Sequence, residues 1–126
     1  FLVVHQIEHA LSGEYDEIAH GAGLAVLFPA WAKYVYKEDL PRFAQFARRV
    51  WDVAESDDTK AAEKGIECMA NFFAEIGMPT RLRDFNIPES CLDRLSELCT
   101  FGRSREIATY ISLDYKKVKE IFELCY

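Results

Sequence analysis

Residues 5–34 read HQIEHALSGEYDEIAHGAGLAVLFPAWAKY, and this stretch decides which fold the chain adopts. Apolar side chains recur in it at spacings of three and four, the pattern of a helix with one buried face. A polar segment at residues 12–19 interrupts the pattern, and Gly13 within it disfavours a helix. The stretch therefore predicts one helix over about residues 2–12 and a second from Gly21 to about residue 36, kinked at Pro29.

The same helical periodicity continues through the rest of the chain, without an alternating strand pattern of useful length. Further helices are predicted from the capping residue Asp39 to about residue 53, over about residues 60–76, after Pro88, and from the capping residue Asp114 onward. Two of these helices carry the clearest buried faces: Ile66, Met69, Ala70 and Phe73 on one, and Val118, Ile121, Phe122 and Cys125 on the other. We predict a single all-α domain over residues 1–126.

Composition and charge exclude several classes of protein. The 126 residues are 50% hydrophobic, enough to bury a core, and carry a net charge of −6. Nucleic-acid binding usually requires a basic surface, so no nucleic-acid partner is expected. No run of about 18 apolar residues occurs, so no membrane-spanning helix is expected. The four cysteines form no C-x-x-C pair, and this is typical of reduced thiols in a cytoplasmic protein.

All three histidines of the chain lie within its first 20 residues. His5 and His9 are spaced to share one helix face, so both could bind one metal ion. Read literally, HQIEH is the H-x-x-E-H string of inverted zinc peptidases, in which Glu8 would be the catalytic base. His20 precedes Gly21 at the start of the second predicted helix, where its side chain can face back toward the first. Three converging histidines suit a divalent ion such as iron or zinc, although histidines without a metal remain an alternative.

Residues 5–34 resemble the C-terminal half of the iron-containing (group III) alcohol dehydrogenases, and most of all their butanol dehydrogenase branch. His5, His9, Tyr15 and the pair His20-Gly21 match the motif of this family. The segments GMPTRLRDFNIPESCLDRL and SLDYKKVKEIFELCY, at residues 77–95 and 112–126, resemble later parts of the same domain. Two departures occur: Asn86 stands where glycine is common, and the spacing from His5 to His20 is one residue longer than in several members.

The resemblance implies a protein of two domains, of which this chain would be the helical C-terminal one, with the dehydroquinate synthase-like fold of the family. The nicotinamide cofactor would be bound mainly by an N-terminal domain that this chain does not include. The family holds its metal with one aspartate and three histidines. Two of these ligands would lie upstream, and the other two carry over to His5 and His20. His9 would lie beside substrate and cofactor, and Glu8 would be a structural carboxylate.

The function implied is the interconversion of primary, butanol-like alcohols and aldehydes by hydride transfer with NAD(P)(H). Fe²⁺ or Zn²⁺ would polarise the oxygen of the alcohol or aldehyde, and His9 would help to relay the proton. The full-length enzyme is expected in the cytoplasm, as a homodimer. Two alternatives stay open: a fragment of an HxxEH-type zinc peptidase, and a non-catalytic helical interaction module. Mutation of Glu8 separates the first from the dehydrogenase, because only a peptidase would need Glu8 as its base.

We predict that the isolated 126-residue chain is catalytically inactive, since the resemblance places two metal ligands and the nicotinamide domain outside it. Alcohol-dependent reduction of NAD or NADP, followed by the absorbance of the reduced nicotinamide, should equal that of a protein-free control. Turnover above this background by the isolated chain would contradict the prediction.

Overall fold

A computed structural model describes residues 2–126 and confirms the all-α prediction. Its six helices are α1 (Val3–Glu14), α2 (His20–Val35), α3 (Leu40–Trp51), α4 (Asp58–Glu75), α5 (Leu92–Cys99) and α6 (Tyr115–Leu124). Short 3-10 turns occur at Tyr36–Asp39, Leu82–Phe85 and Glu89–Cys91. Within residues 2–126 the β structure is limited to one isolated antiparallel bridge between Ile107 and Leu113.

The observed boundaries correct the expectation at Gly13. Helix α1 continues through Gly13 to Glu14, and the N–H of Tyr15 still donates to the carbonyl of Leu11 at 3.0 Å. A glycine inside a helix costs only about 1 kcal/mol relative to alanine, so the fully buried Leu11 outweighs it. Helix α2 contains Pro29 in its interior as predicted, and this proline is buried.

Of the two aspartates predicted to cap helices, Asp114 does so and Asp39 does not. The side chain of Asp57 accepts from the N–H of Lys60 at the start of α4, and Asp114 accepts from Lys117 at the start of α6. Asp57 lies in the turn before the fourth predicted helix. Asp39 immediately precedes α3 as predicted, but its side chain makes no capping hydrogen bond. Its carboxylate is instead 3.3 Å from the guanidinium of Arg42.

Helix α2 connects the two hydrophobic clusters of the domain. One cluster combines α1, α2, α5 and α6, and includes the fully buried Leu27 of α2. The other combines α2, α3 and α4, and includes the fully buried Val35. The predicted buried face of α6 is confirmed, whereas on α4 Ile66 and Met69 are buried but Ala70 and Phe73 are only partly so. Because α2 packs in both clusters, the position of its first residue, His20, is fixed by contacts with the other helices.

Asn86 adopts the left-handed backbone conformation, with φ of 61°. This region favours glycine, and asparagine is among the few other residues that enter it readily. The departure from the family pattern at this position therefore leaves the turn intact. Among the described residues, none of the helices is both long and apolar enough to cross a membrane.

Helices α3 and α4 approach each other at Gly65, where there is no space for a side chain. A Cβ atom built on Gly65 would lie 2.5 Å from the Cβ of Ala47 and 2.8 Å from its Cα. Real Cβ atoms essentially never come so close to their neighbours, so a substitution would have to separate the two helices.

We predict that Gly65→Ala lowers the free energy of unfolding by roughly 1–3 kcal/mol, the range typical of overpacking. Gly13→Ala is the matched control, because a Cβ at Gly13 meets nothing within 4 Å. It should leave stability unchanged or raise it by up to about 1 kcal/mol. Urea unfolding followed by circular dichroism measures both variants. Equal stability of the two would contradict the close packing of α3 on α4.

Candidate metal centre

The structure brings the three histidines together where α1 meets the start of α2. His5 and His9 lie one turn apart on α1, and His20 is the first residue of α2. One ring nitrogen from each histidine lies within 4.8 Å of the other two. The spacing from His5 to His20 therefore does not keep His20 away from α1.

His5 and His20 form the closest pair among the three. Nδ1 of His5 and Nε2 of His20 are 3.0 Å apart. A zinc–nitrogen bond is about 2.1 Å long, so two nitrogens bound to one ion lie at most about 4.2 Å apart. The ring nitrogens of His5 and His20 are within this distance, whereas the ring nitrogens of all three histidines are up to 4.8 Å apart.

His9 lies further from both of the other rings. Its ring centroid is 6.5 Å from that of His5 and 5.8 Å from that of His20, compared with 5.0 Å between His5 and His20. The side chain is exposed. This arrangement supports the prediction of His5 and His20 as ligands with His9 beside them, and the assignment of the individual roles stays a prediction.

Glu8 lies beneath this cluster and is fully buried. Its Oε2 forms a hydrogen bond with Nδ1 of His20 and is 3.5 Å from the hydroxyl of Ser12. An ionised carboxylate only accepts hydrogen bonds, so this contact favours the tautomer of His20 that has its proton on Nδ1 and its lone pair on Nε2. Pairing of a ligand histidine with a carboxylate in this way is a common feature of protein metal sites.

The position of Glu8 argues against the peptidase alternative. A general base must reach a water molecule beside the substrate. The carboxylate of Glu8 is instead enclosed between α1 and α2, where a Cβ built on Gly23 would lie 2.8 Å from its Oε1. This enclosure supports the structural role expected of Glu8 over that of a catalytic base.

The cysteines do not extend this donor set. Burial raises the pKa of the Cys99 thiol to about 12, and burial does the same for Cys125. Both thiols therefore stay protonated, and a metal ligand must be a thiolate. Within residues 2–126 the three histidines are the one group of His, Cys, Asp and Glu side chains close enough to share an ion.

A cavity of about 750 Å³ lies next to His5 and is mostly apolar. Its wall includes Phe28 and Trp31 of α2 and the ring of Tyr110, which stacks on Trp31 with centroids 6.2 Å apart. No pattern in the sequence predicted this cavity. The helical spacing from His20 to Phe28 could have predicted that both lie on the same side of α2. Tyr110 lies in an irregular segment, where no periodic pattern predicts the position of a side chain.

Comparisons with known proteins agree with this fold. The model of the Fe-containing alcohol dehydrogenase family, C-terminal domain, matches residues 1–126. The chain belongs to the Fe-containing alcohol dehydrogenase family, and the resemblance seen in its sequence is confirmed.

Individual relatives are similar over most of the chain. It is 38% identical over 109 residues to the probable NADH-dependent butanol dehydrogenase 1 of Bacillus subtilis, covering 82% of this chain and 28% of that protein. It is 31% identical over 124 residues to NADH-dependent butanol dehydrogenase A of Clostridium acetobutylicum, covering 97% and 32%. The chain thus spans about a third of the length of these relatives.

Solved structures show the same fold. The crystal structure of NADH-dependent butanol dehydrogenase A from Thermotoga maritima matches with a TM-score of 0.90 and 35% identity, over 98% of this chain and 32% of that one. A 1,3-propanediol oxidoreductase structure matches with a TM-score of 0.86 and 27% identity, over 98% and 32%. The all-helical architecture is therefore that of the corresponding third of these enzymes.

We predict that the isolated chain binds Co²⁺ weakly, and through His5 and His20. Replacing either histidine by alanine should weaken Co²⁺ binding by more than about tenfold. Loss of a hydrogen-bond partner of a ligand histidine already costs about tenfold in metal affinity, and loss of the ligand itself should cost more. His9→Ala is the matched control, since it removes an imidazole of the same cluster and should leave most of the affinity. Titration followed by the visible absorbance of Co²⁺ measures all three variants. Loss of binding in His9→Ala alone would contradict the assignment.

Proposed function

We propose that this chain is the helical, metal-binding C-terminal part of an alcohol dehydrogenase that interconverts primary alcohols and aldehydes with NAD(P)(H). The observation that carries the proposal is the pair of ring nitrogens of His5 and His20, 3.0 Å apart, in a chain of this family. The names of several relatives specify NADH-dependent butanol dehydrogenases, and this supports a butanol-like substrate and a nicotinamide cofactor.

The donor set fits a divalent transition metal. Two neutral imidazoles leave the charge of Fe²⁺ or Zn²⁺ uncompensated, and imidazole suits both ions. His5 and His20 would hold the ion together with ligands from the preceding part of the enzyme. When bound, such an ion acts as a Lewis acid on the oxygen of the alcohol or aldehyde.

The position of His9 supports a role in handling the proton of the reaction. It is exposed on the same face of α1 as His5, and its ring centroid is 5.8 Å from that of His20. An imidazole can both accept and donate a proton, as a reversible alcohol–aldehyde interconversion requires. We assign His9 to this relay and not to metal binding.

The cavity beside His5 provides an apolar environment for the hydrocarbon part of the substrate. Phe28, Trp31 and Tyr110 line it, and His5 lies at its wall. An alkyl chain placed there leaves water for an apolar surface, which contributes about 0.8 kcal/mol per methylene group. The alcohol oxygen would then point toward the histidine cluster.

The two alternatives fit less well. A zinc peptidase needs Glu8 in contact with water and substrate, whereas this side chain is fully buried. A non-catalytic helical module gives no reason for three histidines to converge over a buried carboxylate. The convergence and the family membership together favour the dehydrogenase.

The test uses the full-length enzyme that contains this chain, with 1-butanol as the substrate. His5→Ala and His20→Ala should each lose bound metal and reduce turnover by about 100-fold or more, because the electrostatic stabilisation of the reacting oxygen is lost. His9→Ala should keep its metal and lower kcat by roughly 100-fold or more, the usual contribution of acid–base catalysis. Elemental analysis and NADH absorbance measure the two quantities.

Far-UV circular dichroism of each variant controls for folding. Full turnover and full metal content in His20→Ala would show that His20 is not a ligand. Loss of metal in His9→Ala would show that His9 has been assigned the wrong role. Absence of metal and of alcohol turnover in the wild-type enzyme would contradict the proposed function as a whole.

A further inference from the structure

We propose that Glu8 is a positioning residue that selects the metal-binding tautomer of His20 and fixes its orientation, and that Gly23 provides the space for this carboxylate. The part of the proposal that concerns metal binding rests on the function proposed above. The part that concerns the tautomer rests on the geometry of α1 and α2 alone.

Burial is the first argument. Glu8 is fully buried, and its Oε1 has no hydrogen-bond partner among the described residues. A buried carboxylate loses its hydration, and this cost has to be offset by specific partners. The hydroxyl of Ser12, at 3.5 Å, is a weak partner, so His20 is the main one. Packing alone would be achieved at lower cost by an apolar side chain of the same length.

The direction of the hydrogen bond is the second argument. Oε2 of Glu8 meets Nδ1 of His20, and a carboxylate can only accept, so the proton lies on Nδ1. The lone pair is then on Nε2, the nitrogen that faces Nδ1 of His5 at 3.0 Å. Metal binding requires this unprotonated nitrogen. Without Glu8, His20 would be free to take the other tautomer or to rotate away, because its side chain is 47% exposed.

The space provided by α2 is the third argument. Gly23 follows His20 by one helical turn, and a Cβ built on it would lie 2.8 Å from both Cγ and Oε1 of Glu8. Helix α2 therefore carries His20 and, at Gly23, also provides the space for the Glu8 side chain that pairs with His20. Alanine at this position would displace the carboxylate without changing any charge.

The experiment measures metal affinity of the full-length enzyme by competition with a chelator, using Zn²⁺. Glu8→Met keeps the length of the side chain and its packing but removes the acceptor, and should weaken binding about 10- to 100-fold. Glu8→Gln keeps an acceptor oxygen for Nδ1–H and should recover part of this loss. The thermal unfolding temperature of Glu8→Met should rise although its metal affinity falls, because a buried charge is replaced by an apolar group.

Two control variants separate the proposed role from general disturbance. Gly23→Ala should lower Zn²⁺ affinity, whereas Gly21→Ala should not, because a Cβ at Gly21 meets nothing within 4 Å. Glu14→Gln removes an exposed carboxylate of the same helix and should leave affinity unchanged. Zn²⁺ affinity of Glu8→Met within twofold of wild type would overturn the positioning role.

Nitrogen NMR of the metal-free protein tests the tautomer independently of metal binding and catalysis. In the wild type, the shifts of His20 should show a protonated Nδ1 and an unprotonated Nε2, and in Glu8→Met the two tautomers should mix. A protonated Nε2 in the wild type would overturn the inference even if the enzyme is an active dehydrogenase. Correct shifts in an enzyme without metal or turnover would contradict the proposed function and leave the tautomer selection established.

Discussion

The contact of Glu8 with Gly23 and His20 is the constraint on which the candidate site depends. A methyl group on Gly23 would clash with the side chain of Glu8, and the contact places a carboxylate directly behind the ring of His20. The opposite edge of that ring then faces His5. Small displacements of either helix would break the hydrogen bond or separate the two nitrogens. The site is thus determined by helix packing rather than by a flexible loop.

The rest of the domain keeps this contact in place. Helix α2 packs in both hydrophobic clusters, so it cannot shift without disturbing α3 and α4 on one side and α5 and α6 on the other. Helix α1 is anchored from the end of α5, where Arg105 donates to the carbonyl of Cys99 at 3.0 Å and to the side chain of Gln6 at 3.3 Å. A ligand set built on such rigid elements holds its geometry better than one on loops. The candidate site on α1 and α2 is thus supported by packing against the other helices.

Much of the fold could be predicted from the sequence because its helices are amphipathic. The buried face of α6 and the cap at Asp114 follow from local patterns and are confirmed. Gly13 was wrongly expected to end α1, because the burial of Leu11 is a tertiary effect that local propensity does not contain. The side chain of Asp39 was wrongly expected to cap α3, since it pairs instead with Arg42, three residues further along the chain.

The candidate site was predictable in part. The histidine spacing and the family motif identified His5, His9 and His20, and the structure brings all three together. The enclosure of Glu8 by Gly23 and the cavity beside His5 were not predictable, because both depend on how α1, α2 and the segment around Tyr110 meet in space. Such contacts join residues that are distant in sequence, and no local pattern encodes them.

The most direct test of the account is a crystal structure of the full-length enzyme grown with Zn²⁺, with the ion located by its anomalous scattering. The account predicts a peak bonded to Nδ1 of His5 and Nε2 of His20, at about 2.1 Å from each, with Glu8 still against Nδ1 of His20. His9 should lie near the ion but outside bonding distance. A peak bonded to His9, or one bound away from His5 and His20, would contradict it.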